Sequence, residues 1–546
     1  MQEINRRKFL KLMGAVGVAL PFSNRNIIAQ IEDQRPNIVV IISDQHHPRI
    51  AGYLGHPLVK TPNLDRLADA GTSFSRTYCT YPVCGPSRVS MMTGKYAHQH
   101  GTWMNEVPTN PEIITWPMKL TEAGYHTGAI GKMDFAGKYQ NPGFKEFHTF
   151  SHRAAFNPYP LNTPWDMRLR DYRRPVKRRI LENSGPSQPV KREFSAADTV
   201  DDPLFRNSDS RYTGYYGHDR EVTEHGIMFL RHRAKDITSR PWALYLGYLQ
   251  PHWPYRVPQR YYDIYYPDRI EWPHDARFPN DSLHPVLKHF QDLLCINGLE
   301  EDVYRRAIAA YYGMVTCLDD LIGKVIEELK TQGIYENTVI IYSSDHGESL
   351  GEHGLFYKQC SYEGSAGVPL IIKGPGIPKG QRIDTPISGV DLYPTLMELT
   401  GLDTEEDVQG HSLLPLTRGD NSSYPEYSFS EFHGNFFPQS WYMLVKDGYK
   451  FTYYSDGMRP SLFNLIDDPQ ENRDLATDSG YSQRLNEFND LLHTILDPES
   501  TALRSKQDLG LIGPSGLDYT KVLSWSEYKE GVESGRFPKL KLGFDY

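Results

Sequence analysis

Residues 37–45 read NIVVIISDQ: five aliphatic residues in succession, Ile38 to Ile42, a serine, and then at once an acid and an amide. A short unbroken apolar run of this kind suits a strand covered on both faces, not the alternating pattern of a strand with one wet face. The same pattern recurs along the chain. HTGAIG (126–131) runs into Lys132, WALYLGYLQ (242–250) into Pro251-His252, and NTVIIYSS (337–344) into Asp345-His346. Between these runs lie helical spacings, such as TPNLDRLADAG (61–71) with Leu64, Leu67 and Ala68 on one face, and RRAIAAYYGMVTCLDDLIGKVIEELKTQG (305–333). Strands alternating with helices predict an α/β fold with a large, mostly parallel central sheet and helices on both faces. In such sheets ligands bind beyond the carboxyl ends of the strands. Asp44, Lys132, His252 and Asp345 are therefore expected to converge, although they are far apart in sequence.

The chain has 546 residues, 39% of them apolar, enough for one large domain and a smaller one. Lys and Arg number 59 against 68 Asp and Glu, a net charge of −9 that argues against general nucleic-acid binding. The start of the chain, NRRKFLKLMGAVGVALPF, has Arg6-Arg7 followed by a short apolar run, the pattern of a twin-arginine export signal. That run is too short for a stable membrane span. Residues 1–29 are read as the signal and the periplasm as the destination. Residues 30–420 are read as the catalytic α/β domain. From about residue 421 the pattern changes to shorter segments. WYMLVKDGYKFTYYS and PSLFNLIDD predict a small antiparallel sheet, YSQRLNEFNDLLHTIL predicts a helix, and the tail from about 500 to 546 has no clear period, so 421–546 is read as an α+β subdomain and tail. Arg168–Arg192 holds nine Lys or Arg against two acids and reads as a solvated basic loop that an anionic polymer could also use. The five cysteines, Cys79, Cys84, Cys295, Cys317 and Cys360, show neither zinc-type spacing nor an even count for a disulfide framework.

Asp44-Gln45 and Asp345-His346 offer two carboxylates, an amide and an imidazole, a mainly oxygen set that suits Ca²⁺ or Mg²⁺ and that a transition metal could also use. Lys132 and Lys358 can present point charges, and Arg88 a planar fork, to a tetrahedral anion. His252, between prolines in QPHWPY, suits proton transfer near neutral pH, and a packed core histidine explains it equally. Cys84 can be a buried inert thiol, a thiolate nucleophile, or the precursor of another group.

Cys84-Gly85-Pro86-Ser87-Arg88 followed by Thr93-Gly94 resembles the signature of the type I sulfatases, in the alkaline phosphatase superfamily. TPNLDRLADAGTSFSRTY, LTEAGYHTGAIGK, QPHWPY, YSSDHGESLGEHGLFYK, VPLIIKGPG, VDLYPTLMELTG and LFNLIDDPQENRDLA carry the resemblance along most of the chain. It implies that Cys84 is oxidised to formylglycine (3-oxoalanine) by a formylglycine-generating or anaerobic sulfatase-maturing enzyme. It also implies that Asp44, Gln45, Asp345, His346 and residue 84 hold Ca²⁺. The hydrated aldehyde, helped by Arg88, would attack sulfur while Lys132, Lys358 and His252 hold the sulfate oxygens. His252 or Lys358 would protonate the departing alcohol, and His100 is the candidate base that restores the aldehyde. In GKMDFAG, Asp134 stands where the family's Lys-x-His motif has histidine, near the GKMHF form of choline-sulfatase-like members. An aspartate there repels sulfate unless it is protonated, paired with a cation, or turned to a hydroxyl or cationic leaving group.

The function expected is hydrolysis of sulfate esters on a sulfated polysaccharide or oligosaccharide, with no nucleic-acid partner. The alternatives are a choline-sulfatase-like or phosphonate/phosphodiester hydrolase, and, on the strength of Asp134 alone, a glycan-binding pseudoenzyme.

Overall fold

The structure is a computed structural model that describes residues 35–512 except 106, 138–139, 149–213, 237–239, 254, 267–269, 271–282, 295–300, 435–438 and 510–511. The signal-like segment 1–29, the basic stretch Arg168–Arg192, Cys295 and the tail beyond 512 lie outside the described residues.

The central sheet contains β1 (Asn37–Ser43), β2 (Thr72–Tyr78), β3 (His126–Gly131), β4 (Glu146–His148), β5 (Trp242–Gly247), β6 (Thr338–Ser344), β7 (Gly367–Lys373), β8 (Gln381–Ile383) and β9 (Ile387–Ser388). Its order is β4-β3-β5-β1-β6-β7-β2-β8, with β9 also beside β2. The strands read as apolar runs, β3, β5, β1 and β6, are mutually parallel neighbours at its centre. β7 breaks the pattern by pairing antiparallel with both β6 and β2. Successive residues of β1 point to opposite faces and feed two separate cores. Val39 and Ile41 pack with Leu64, Val222 and Leu318, whereas Ile38, Val40 and Ile42 pack with Val89, Trp116 and Leu396. Helices Pro62–Asp69, Gly214–Ala234 and Glu301–Thr331 thus cover one face, and Cys84–Thr93, Trp116–Glu122 and Leu392–Thr400 the other.

The second sheet is antiparallel: β10 (Tyr427–Phe432), β11 (Trp441–Lys446), β12 (Tyr449–Tyr454) and β13 (Ser461–Asn464), in that order. The β11–β12 turn is Asp447-Gly448, with φ of 51° and 77°, the left-handed pair that a two-residue hairpin of matching twist requires. Both faces are covered. Trp441, Met443 and Val445 join the core shared with the large unit, while Tyr442, Leu444 and Phe451 meet Phe488 and Leu492 of helix Ser482–Ile495. The expectation of an aperiodic tail from about residue 500 is corrected, because Pro498–Asp508 is a helix. Asp497 accepts a hydrogen bond from Ser500 N at 2.7 Å and Pro498 sits in the first turn, both favourable helix starts that outweigh a weak apolar stripe. Among the described residues no helix is long and apolar enough to cross a membrane.

Candidate active site

The register of the parallel strands aligns their ends. Ser43 pairs with Ser344, and Gly131 with Gly247, so Asp44, Asp345 and Lys132 each emerge one residue past a matched pair. Neighbouring strands hold their backbones: Asp345 N donates to Ser43 O at 3.2 Å and Lys132 N to Gly247 O at 2.8 Å. The second contact requires glycine, since a Cβ on Gly247 would lie 2.0 Å from the Lys132 carbonyl oxygen. The helix Cys84–Thr93 starts at the same end of the sheet. Its first residue is Cys84, and Arg88 lies one turn on, on the same face.

Asp44, Cys84, Asp345 and His346 are fully buried, and their ligand-type atoms lie within 4.8 Å of one another. Gly347 O, an acceptor only, lies 3.0 Å from His346 Nδ1, so Nδ1 carries the proton in a neutral ring and Nε2 presents its lone pair. That lone pair faces Asp44 Oδ1 at 3.4 Å, Asp345 Oδ1 at 3.6 Å and Cys84 Sγ at 3.3 Å. Four electron-rich atoms turned toward one another repel unless a cation stands among them, and this donor set fits a divalent cation. Around it, Asp345 pairs with Arg88, and Asp44 and Asp134 pair with Lys132.

The cations are locked. Arg88 donates through Nε to Asp345 Oδ2 at 2.8 Å and through Nη1 to Lys132 O at 2.9 Å and Tyr245 Oη at 2.6 Å. Lys132 pairs with Asp44 and, at 3.1 Å, with Asp134. Burial opposes the charge on Lys132, but Asp134 and Asp44 hold its pKa well above the ordinary value. Burial raises Asp44 too, yet Lys132, His252 and Lys358 bring it well below the usual carboxylate range. Asp345 goes up, because burial outweighs Arg88. Burial and Asp44 push the Cys84 thiol up, while Lys132, Lys358 and His346 more than offset them and bring it down to about 5.

Lys358 Nζ reaches Gln45 Oε1 at 2.9 Å, Cys84 Sγ at 3.4 Å and His252 Nε2 at 2.8 Å. His252 Nδ1 bonds to Trp253 O, which can only accept, so Nε2 is the acceptor for the Lys358 ammonium. Burial first, then the charge of Lys358, pushes His252 well below its ordinary value. Three partners were missed at the sequence level. Glu348 accepts from Gln45 Nε2 and, at 2.5 Å, from Tyr357 N, and so fixes Gln45 and the approach to Lys358. Tyr311 Oη donates to Gln45 O at 2.6 Å and supports its left-handed φ of 68°. Tyr245 supports Arg88. Tyr245 sits in an apolar strand, Tyr311 in a long helix and Glu348 in the polar loop after β6, and none carries a local signal of its partner.

The structure pairs Asp134 with Lys132, one of the ways in which sulfate repulsion is relieved. His100, the candidate base, is placed against helix Cys84–Thr93: Nε2 bonds to Ser90 Oγ at 3.0 Å, Nδ1 accepts from Thr102 N at 3.1 Å, and its charged neighbours are Glu431, His98 and Lys95. Burial lowers its pKa to about 3, which keeps it neutral near pH 7.

The Sulfatase family model matches residues 36–402, and a model of the N-sulphoglucosamine sulphohydrolase C-terminal region matches residues 351–497. Arylsulfatase K of Danio rerio is 30% identical over 491 residues, covering 86% of this chain and 85% of the relative. Among solved structures, BT4656, in complex with its substrate D-glucosamine-2-N,6-O-disulfate, is similar with a TM-score of 0.64 and 21% identity over 88% of this chain and 99% of that one. The phosphonate monoester hydrolase of Agrobacterium radiobacter gives 0.66 and 23% over 88% and 99%. These two likenesses show the fold. The match over two thirds of the length, with a relative aligned nearly end to end, decides the family: the chain belongs to the sulfatases and is a sulfuric ester hydrolase.

Proposed function

We propose that the protein is an exported, Ca²⁺-dependent sulfatase that removes sulfate from a sulfated saccharide through formylglycine at position 84. The observation that carries this reading is the single buried cluster in which Cys84 Sγ meets Asp44, His346 and Lys358, with Arg88 one turn behind. Asp44, Gln45, Asp345, His346 and residue 84 would hold the ion. Bound calcium would polarise the sulfate oxygens, and the hydrated aldehyde would supply the oxygen nucleophile.

The chain's own groups do the rest. Lys132 and Lys358 present ammonium donors to the sulfate, and Arg88, immobile through its contacts to Asp345, Lys132 O and Tyr245, keeps positive charge against position 84. The Lys358–His252 pair delivers a proton to the departing alcohol: Lys358 carries it and His252 Nε2 faces it. Trp253 is 39% exposed beside His252, with ring centroids 5.7 Å apart, and offers an apolar face to a sugar ring on the leaving-group side. The relatives' substrates support the saccharide reading by analogy: BT4656 is described with a sulfated glucosamine, and BT1596, of the same fold, as a 2-O GAG sulfatase.

The test is a panel of defined sulfated saccharides, an aryl sulfate and a phosphodiester, incubated with protein made in a host with maturation machinery. Sulfate release from a saccharide, together with an aldehyde mass at residue 84, is expected. A preference for the phosphodiester sinks the substrate assignment. An unmodified thiol with no sulfate released from any member points to the glycan-binding alternative.

A further inference from the structure

We infer that the small antiparallel sheet is a positioning element of the active site: Trp441, Lys450 and Thr452 hold the chain just after Lys358 so that its ammonium meets Cys84, Gln45 and His252. The inference rests on the role given to Lys358 above.

Lys358 stands between two residues with left-handed backbone, Tyr357 at φ 72° and Gln359 at φ 87°. Non-glycine residues adopt this conformation only where their surroundings over-determine it. On the near side the large unit does so: Tyr357 N donates to Glu348 Oε1 at 2.5 Å, and Ser349 N to Tyr357 O at 2.7 Å. On the far side the large unit contributes the contact of Ser349 Oγ with Cys360 Sγ at 3.6 Å, and the small sheet holds the residues on either side of it. Trp441 Nε1 on β11 donates to Gln359 O at 2.9 Å. On β12, Lys450 Nζ donates to Ser361 O at 3.0 Å and Thr452 Oγ1 to Ser361 Oγ at 3.0 Å.

The residue types point the same way. Lys450 and Thr452 are two apart, so they share the face that Met443 and Val445 present to the large unit, and both are fully buried. Apolar side chains would fill that face at no desolvation cost, so a buried ammonium and hydroxyl are explained by what they hold. Lys450 is itself fixed by Glu363 at 2.6 Å and Glu471 at 2.9 Å, and Glu471 accepts from Glu363 N at 2.7 Å, which anchors the segment 359–363 at its other end. Trp441, Lys450 and Thr452 have no contact with Cys84; they act through Lys358, as positioning residues.

The experiment compares Thr452→Val, Thr452→Ser and Trp441→Phe in two backgrounds, wild type and Lys358→Ala, in the matured full-length protein. The readouts are kcat and KM for 4-nitrophenyl sulfate, with the melting temperature alongside. With Lys358 present, Thr452→Val and Trp441→Phe are expected to lower kcat/KM about tenfold, mostly in kcat, while Thr452→Ser, which keeps the hydroxyl, stays near wild type. In the Lys358→Ala background the same changes should cost less than about twofold, since the group they position is gone. Equal losses in both backgrounds, or no loss with Lys358 present, overturn the inference alone. Unchanged turnover in Lys358→Ala overturns the role of Lys358 itself, and the inference with it. Trp441→Phe keeps an aromatic ring but loses the N–H and part of the buried indole, so its melting temperature reads the cavity while the Lys358→Ala background reads the positioning.

Discussion

Lys132 shows how much of this site is electrostatic structure. Its ammonium is buried between Asp44 and Asp134, and each of the three charges is tolerable only in the company of the others. Lys132→Ala is therefore expected to abolish turnover and also to destabilise the fold by about 3–5 kcal/mol, because two carboxylates lose their buried partner. Chemical denaturation reads this directly, and a variant as stable as wild type contradicts the pairing. Trp253→Ala has the opposite signature. Trp253 is 39% exposed, so melting should change little while KM for the saccharide substrate rises about tenfold, the scale of one lost aromatic face. An unchanged KM removes Trp253 from the leaving-group side.

Helix Pro62–Asp69 illustrates a contact between elements that no local pattern reveals. Its first backbone N–H groups are capped from another helix: Asp319 accepts from Asn63 N at 3.1 Å and Leu64 N at 2.8 Å. Asp319→Ala should cost about 1–3 kcal/mol by leaving these donors unpaired. Burial pushes the Asp319 carboxyl up from 3.8 to about 6. Between these values the folded state holds the proton more tightly than the unfolded one, so the stability due to this group falls as pH rises from about 4 to 6. Asp319→Asn should flatten that slope in urea titrations, and an unaltered slope contradicts it. In the sequence, Asp319 reads as one more polar residue of a long amphipathic helix. The strands were legible because runs such as Ile38–Ile42 are short and unbroken, and the parallel sheet then followed. What sequence hides is side-chain pairing: Glu348 with Gln45, Tyr245 with Arg88, and Ser90 with His100. The start of helix Pro498–Asp508 was legible in Asp497-Pro498, but a weak apolar stripe concealed it.

In the whole molecule two sheets meet around one buried site, and the joint between them is sensitive to acid. His284 stacks on Tyr454 of the small sheet at 4.1 Å, donates through Nε2 to Arg459 O at 2.9 Å, and accepts from Val286 N at Nδ1. Burial lowers its pKa to about 4. The unfolded chain takes up this proton near 6.5 and the folded chain only near 4, so the stability involved is full above pH 6.5 and is lost as pH falls toward 4. Midpoints measured from pH 7 to 4 should drop less, or rise more, in His284→Gln than in wild type; parallel curves contradict this role. The alignment of strand ends brings Asp44, Lys132 and Asp345 to Cys84, the cluster on which the proposed chemistry rests. The most direct measurement is inorganic sulfate released from a sulfated saccharide by matured wild type and by Cys84→Ser, with saccharide binding followed in parallel. Release by wild type alone, with binding retained in the variant, is predicted; sulfate release persisting in Cys84→Ser would contradict the account.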